Sequence, residues 1–258
     1  MIPKIIHYTW FSNEPFPEMV KVCMDTWRQF LPDYEFRLWD MASTEQIDSV
    51  FLKEALREKK WAFAADVVRL YAVYNYGGIY LDTDVMIYKS FDSLLDQHAF
   101  IGRENSVHIE GRKTESYLTS HCFGAEKEHP YIGRCFHYYD NRHFVTSLDA
   151  TLPMPLRYDS KLLPFIQSEL AREIGYNSSI LRREIQNCEF GLTVFPSYYF
   201  DCVTSDKRSY CKHLALGSWR DRKTEDPVIS LKYKIKWRIE AFLRKCLDKN
   251  GYLMIEKR

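Results

Sequence analysis

Ala65-Asp66-Val67-Val68-Arg69-Leu70-Tyr71-Ala72-Val73-Tyr74-Asn75-Tyr76-Gly77-Gly78-Ile79-Tyr80-Leu81-Asp82-Thr83-Asp84 is the stretch whose reading decides the fold. Its first part, extended back to Trp61, reads as a helix. Ala64, Ala65, Val67, Val68, Leu70, Ala72 and Val73 leave almost no polar face, and a helix apolar on most sides is a buried one. Gly77-Gly78 ends it, as glycine commonly does. Ile79 to Tyr88 then reads as a strand. In extended chain, side chains two apart point the same way, so Asp82 and Asp84 are expected to face one spot.

Two carboxylates that close repel unless a cation sits between them. A hard divalent ion such as Mg²⁺ or Mn²⁺ prefers carboxylate and phosphate oxygens. A bare D-x-D is a weak signal, and its context strengthens it. Asp66 and Arg69 stand i,i+3 on one helix face, amid apolar residues that would bury them. A buried charge needs a strong reason. An acid, a base and an acidic pair thus converge within 19 residues. Asp suits sugar hydroxyls, and Arg suits a diphosphate.

Outward from this centre, strands and helices alternate. Ile2 to Trp10 reads as a buried strand, Pro17 to Phe30 as an amphipathic helix and Tyr34 to Trp39 as a second strand. Ser43 to Leu56 reads as a helix with Ser43 as N-cap and Gln46 at the capping-box position. Ala99 to Gly102, Tyr117 to Gly124, Phe190 to Phe195 and Tyr210 to Gly217 read as strands. Tyr131 to Tyr139 and Ser160 to Ile174 read as helices, and Thr151 to Arg157 as a loop. The order predicts an α/β layered fold with a mostly parallel sheet, whose ligands sit at the carboxyl ends of the strands.

The chain has 258 residues with 46% hydrophobic and 28% charged, enough for one core. Its net charge of +1 gives no global field toward nucleic acid. Aromatics reach 16%, and flat rings stack on sugars and bases. Seven scattered cysteines without CxxC spacing read as free thiols. No apolar run approaches the roughly 20 residues that span a bilayer. No leader precedes the first strand, so a cytoplasmic protein is expected.

The pattern from Ala65 to Asp84 resembles the DxD-containing sugar transferases of glycosyltransferase family 32, and more distantly the glucosylating clostridial toxins. Ile5-Ile6-His7-Tyr8-Thr9-Trp10-Phe11 is similar to that family's opening, and His213 with Ser218-Trp219 to its closing element. The resemblance covers roughly residues 1 to 220. It implies a Rossmann-like nucleotide-diphospho-sugar transferase fold of the GT-A type, with a smaller helical acceptor portion. It implies a single domain over 1–227, with the nucleotide-sugar core at about 1–125 and the acceptor side and closing motif at about 126–227.

By the same resemblance, Tyr8, Trp10 and Tyr80 would join the donor site, with Trp10 stacked on the base. Asp66 and Arg69 would hold the donor sugar and phosphate and act in catalysis. Asp82 would contact ribose and ion, Asp84 and His213 would bind the ion, and Ser218 and Trp219 would close over the diphosphate. The implied cofactor is Mn²⁺ or Mg²⁺. The implied reaction is retaining transfer of a hexose from a nucleotide sugar, UDP-linked by preference and GDP-mannose as the other candidate. The acceptor would be a glycan or lipid-linked saccharide of surface polysaccharide synthesis. Leu152-Pro153-Met154-Pro155 and His121 depart from the family's pattern, so no acceptor residue is assigned.

Residues 228–258 form a basic amphipathic tail. Between Lys232 and Lys249 the basic residues far outnumber the two acids, Glu240 and Asp248. That suits an anionic membrane surface, so a peripheral position on the inner face of the cell membrane is expected. Two other classes compete. A metal-dependent phosphotransferase or phosphohydrolase also uses D-x-D, usually on an N-terminal strand, which here carries His7 and Trp10 instead. An inactive carbohydrate-binding module would have no use for the intact acids with Asp66 and Arg69.

Overall fold

A computed structural model describes residues 1–12, 14–106, 108–110, 113–179, 184–203 and 207–216. Ser218, Trp219 and the basic tail lie outside the described residues. The elements in order are β1 (Ile5–Thr9), α1 (Glu18–Phe30), β2 (Glu35–Trp39), α2 (Val50–Arg57), α3 (Trp61–Tyr76), β3 (Gly78–Leu81), β4 (Val85–Ile87) and β5 (Ala99–Arg103). Then come β6 (His108–Glu110), β7 (Lys113–Glu115), β8 (Leu118–Ala125), α4 (Pro130–His137), α5 (Met154–Arg157), α6 (Leu163–Arg172), β9 (Gln186–Asn187), β10 (Leu192–Phe195) and β11 (Cys211–His213).

Seven strands form the central sheet in the order β2-β1-β3-β8-β5-β10-β9. The α/β expectation holds, but the sheet is mixed rather than mostly parallel. β1 runs parallel to β2 and β3, and β10 parallel to β5. β8 runs antiparallel to both β3 and β5, and β9 antiparallel to β10. The described residues between β3 and β8 hold β4, β5, β6, β7 and a 3₁₀ turn at Asp92–Leu94 but no helix of the length that a parallel crossover needs, and β8 returns antiparallel. One face is covered by α2, α3, α4 and α6, packed around Val67, Val68, Leu70, Tyr131, Leu163 and Ile166. The other is covered by α1 with Trp27, Val85, Phe91 and Phe200. Residues beyond 125 therefore complete the same sheet and core.

α3 is buried along most of its length, as its composition predicts. Gly77 and Gly78 then adopt φ of 65° and 104°. A Cβ on Gly78 would lie 2.7 Å from the Ile5 carbonyl oxygen. Only glycine lets α3 turn so sharply into a strand lying directly against β1. His7 locks the same turn. Its buried Nε2–H donates to the Gly77 carbonyl at 2.8 Å, and its Nδ1 accepts from Trp39 Nε1 at 3.2 Å. Desolvation pushes the His7 pKa down to about 4, so the ring is neutral, as this pairing requires.

Three local expectations change. The predicted helix over Ser43 to Leu56 is a 3₁₀ turn at Ser43–Gln46 followed by α2. Ser49 is the N-cap, its Oγ accepting from Leu52 N, whereas Ser43 Oγ bonds the Asp40 backbone. Ile47, buried and extended, breaks the two apart. Thr151 to Arg157 holds the one-turn α5, started by prolines that fit a first helical turn. The strand predicted from Ile79 to Tyr88 is interrupted by a turn at Asp82, closed by Val85 N–H donating to the Asp82 carbonyl at 3.0 Å. β4 leaves the main sheet and pairs antiparallel with β11.

Among the described residues no helix is long and apolar enough to cross a membrane. Six cysteines lie among them, and no disulfide joins any two of these six.

Candidate active site

The turn after β3 changes how the acidic pair is built. Asp82 and Asp84 do not project from one strand face. They sit in one tight turn, Asp82 at its first position and Asp84 at its third. β11 reaches them because His213 pairs in register with Val85. His213 Nε2 comes 3.1 Å from Asp84 Oδ1 and 4.0 Å from Asp82 Oδ2. Asp84 is fixed further from the same segment, its Oδ2 accepting from Leu216 N–H and its carbonyl from Leu214 N–H. Asp82 N–H donates to the His121 carbonyl at 2.9 Å, which ties the turn to β8.

Arg69 is the second organiser. It is 5% exposed, and every guanidinium nitrogen is engaged. Nη2 lies 3.4 Å from Asp66 Oδ1 and 3.3 Å from Asp82 Oδ1. Nη1 donates to the Ser120 carbonyl and Nε to the Ala65 carbonyl. Its Cζ sits 4.6 Å from the Tyr80 ring centroid. The Tyr80 hydroxyl in turn donates to Asp82 Oδ1 at 2.9 Å and shares a bond with Thr9 Oγ1. Helix α3, strand β3 and strand β8 thus converge on Asp82 through one buried cation.

Charge explains how the cluster behaves. Asp66, Asp82 and Asp84 are three carboxylates facing one guanidinium and one imidazole. Burial raises the Asp66 pKa to about 7 against the pull of Arg69, with Asp82 adding repulsion. Asp84 moves the other way, to about 2. Burial opposes its charge, but His213 and the Leu216 N–H outweigh it. Burial also works against a charged His213, yet Asp84 and Asp82 raise its pKa. The ligand atoms of Asp82, Asp84 and His213 lie within 4.8 Å of one another. Two carboxylates and one imidazole carrying surplus negative charge fit a divalent cation.

The structure therefore brings together Asp66, Arg69, Tyr80, Asp82, Asp84 and His213. Tyr8 and Trp10 stand on the neighbouring β1 and just after it. Tyr8 packs edge-on to Trp27 in the core on the α1 side. Trp10 is half-buried, packs on Phe16 and donates Nε1–H to the Glu14 carbonyl. Among the described residues no hydrogen bond or ring contact joins either to the acidic cluster. The reading of Ser218 and Trp219 falls outside the described residues.

Two neighbours were not singled out as site residues. His121 is buried and its ring stacks on His213 at 4.5 Å. Tyr139 is buried, burial pushes its pKa well above the usual value with Asp66 adding to the rise, and its hydroxyl has no hydrogen-bond partner. The only sequence signal for His121 was that it replaces an amide. Tyr139 had none.

A buried acid–arginine pair thus stands beside a cation-competent acidic turn, at the end of a mixed α/β sheet. Residues 17–101 match the family model described as the glycosyltransferase sugar-binding region containing the DXD motif. The chain is 35% identical over 138 residues to inositol phosphoceramide mannosyltransferase 3 of Schizosaccharomyces pombe, covering 51% of this chain and 35% of that one. It is 28% identical over 172 residues to mannosyl phosphorylinositol ceramide synthase CSH1 of Saccharomyces cerevisiae, covering 60% and 41%. The chain thus spans less than half the length of the curated relatives it matches. Among solved structures, PaToxG glycosyltransferase aligns with a TM-score of 0.43 at 18% identity, covering 67% of this chain and 69% of that one.

Proposed function

We propose that this chain is a retaining glycosyltransferase that moves a hexose from a nucleotide-diphospho-sugar to a glycan or lipid-linked acceptor. The observation that carries this reading is the convergence on Asp82. One oxygen belongs to a buried Arg69–Asp66 pair, and the other faces His213 beside Asp84.

Asp82, Asp84 and His213 would hold Mn²⁺ or Mg²⁺, which supplies positive charge to the departing diphosphate when bound. The remaining chemistry is the chain's own. Arg69 holds Asp66 and Asp82 in place and adds charge where negative charge develops. Asp66 is a hydroxyl-binding carboxyl whose proton is exchangeable near neutral pH, which suits a sugar hydroxyl as donor or acceptor. Tyr80 fixes the oxygen of Asp82 that Arg69 also uses. Among the described residues no carboxylate is assigned as a nucleophile. Retention is therefore read as same-face attack, the leaving phosphate taking the acceptor's proton.

The names of the relatives make mannose the first sugar to try beside the UDP-linked hexoses, and a lipid the first acceptor. A role in surface polysaccharide synthesis and a place at the cytoplasmic face of the membrane, held by the basic tail, complete the proposal. The test is a panel of UDP- and GDP-sugars with Mn²⁺, scored by nucleotide release. One donor should be hydrolysed or transferred, with its anomeric configuration kept by NMR. Release of phosphate rather than nucleoside diphosphate would make the protein a phosphohydrolase instead.

A further inference from the structure

His213 stands between two donor sets. On one side are the Asp82 and Asp84 carboxylates. On the other are His121 from β8 and Asp201, which follows the 3₁₀ turn Ser197–Tyr199. His121, Asp201 and His213 each offer a ligand atom, and these three atoms also lie within 4.8 Å of one another. We propose that they form a second cation site, for a borderline ion such as Zn²⁺, which shares His213 with the acidic turn and so excludes the cation there.

The donor chemistry separates the sites. Asp82 and Asp84 make the first set oxygen-rich, suited to hard ions. Two imidazoles and one carboxylate make the second nitrogen-rich, the set that Zn²⁺ prefers. Three protein ligands also leave a fourth position open, as zinc sites commonly do.

The second set is already assembled. The two rings stack at 4.5 Å and 23°, so one ring must turn for both in-plane lone pairs to meet a common ion. His121 Nε2 donates its hydrogen to the Phe200 carbonyl at 3.2 Å, which leaves the lone pair on Nδ1. Asp201 is 9% exposed, and its Oδ2 accepts from Asn105 N–H at 2.6 Å, so Oδ1 is available. Its backbone N–H is held by the Ser197 carbonyl at 2.8 Å. Tetrahedral zinc with ligands at about 2.1 Å places them about 3.4 Å apart. The three atoms therefore need to close by about 1.4 Å at most.

His213 cannot serve both sets with the same nitrogen. Where zinc takes the Nε2 that faces Asp84, it draws that nitrogen away or turns the ring, and the acidic turn loses its third donor. Zn²⁺ is thus expected to oppose the harder cation, by competition for a side chain rather than for the same space. This does not depend on the sugar-transfer reading, because both cations are measured by binding alone.

The experiment is calorimetric titration of untagged, full-length chain with Zn²⁺ and separately with Mn²⁺, each followed by the other. Co²⁺ absorption provides a second probe of the nitrogen-rich set. Asp201→Asn keeps an oxygen for the Asn105 N–H, and His121→Gln keeps a donor for the Phe200 carbonyl. Circular dichroism confirms folding of each. Both variants should weaken Zn²⁺ by at least about tenfold and leave Mn²⁺ unchanged. The double variant Asp82→Asn, Asp84→Asn should do the reverse. Mn²⁺ should bind more weakly to zinc-loaded protein. Zn²⁺ binding at wild-type strength to either folded single variant overturns the site. So does parallel loss of both ions in the double variant, which would place zinc on the acidic turn.

Discussion

Asp66→Asn should remove a pH dependence of stability that the wild-type chain carries. Asp66 is 7% exposed, and its pKa stands at about 7 in the folded chain, against 3.8 for the free side chain. Such a carboxyl takes up a proton on folding at any pH between these values. Wild-type stability therefore falls as pH rises from about 4 to about 7, and the loss is complete above that. At about 1.4 kcal/mol per pH unit the span amounts to about 4 kcal/mol. Coupling to Arg69 and Asp82 makes about 2 kcal/mol a safe lower figure. Asn keeps the shape and the oxygen facing Arg69 but has no proton to exchange. Arg69 retains Asp82 at 3.3 Å and the Ser120 carbonyl at 2.7 Å. Urea unfolding of both proteins at pH 4, 6 and 8 measures the effect. The stability of Asp66→Asn minus that of wild type should rise by about 2–4 kcal/mol from pH 4 to pH 8. Any constant cost of the amide cancels in that difference. Nucleoside diphosphate binding should survive while sugar turnover falls by at least about tenfold, since the contact proposed for Asp66 is to the sugar. A pH-independent difference would show that Asp66 is ionised in the folded chain and that its burial is compensated.

The remaining expectations concern the ion, the turn, the base and the tail. Asp84→Ala should lower cation-dependent turnover by about a hundredfold or more with secondary structure intact by circular dichroism; near-normal turnover in chelator would remove the cation from the mechanism. Gly78→Ala should cost about 3 kcal/mol or more in urea unfolding, because φ is 104° and the new Cβ meets the Ile5 carbonyl at 2.7 Å; a cost under about 1 kcal/mol would mean that β1 can draw back. Nucleoside diphosphate with Mn²⁺ should quench tryptophan fluorescence, and Trp10→Phe should abolish most of that quench; an unchanged quench puts the base elsewhere. Full-length chain should sediment with anionic vesicles at low salt and release as salt rises, whereas a chain ending at Pro227 should not sediment; equal behaviour of the two would leave the tail without a membrane role.

What could be read from sequence was what local chemistry decides. The all-apolar flanks of α3 force burial of Asp66 and Arg69 wherever the helix goes, and two glycines with positive φ force the return along β1. Both features act over a few residues. The helix start at Ser49 was missed because Ser43 offers the same side-chain chemistry, and only the burial of Ile47 between them decides which serine caps. The mixed sheet was missed because nothing local in β8 marks its direction. Leu118 to Ala125 is buried on both faces and reads the same parallel or antiparallel.

The acidic pair shows how a correct grouping can come from an incorrect geometry. Strand alternation would have pointed Asp82 and Asp84 the same way, and the chain turns between them instead. They still meet, because three-residue β11 pairs with β4 and delivers His213 to the turn from far along the chain. Tyr210 to Gly217 reads as a strand, but nothing local names β4 as its partner, so only the resemblance to a family could nominate His213. The same pairing then does something the resemblance did not imply. By placing His213 against His121 as well as against Asp84, it gives one side chain two rival sets of partners. Occupancy of the acidic turn becomes a question of which set holds that ring. The short strand is therefore the element whose displacement would matter most to the site, although it stands outside the main sheet.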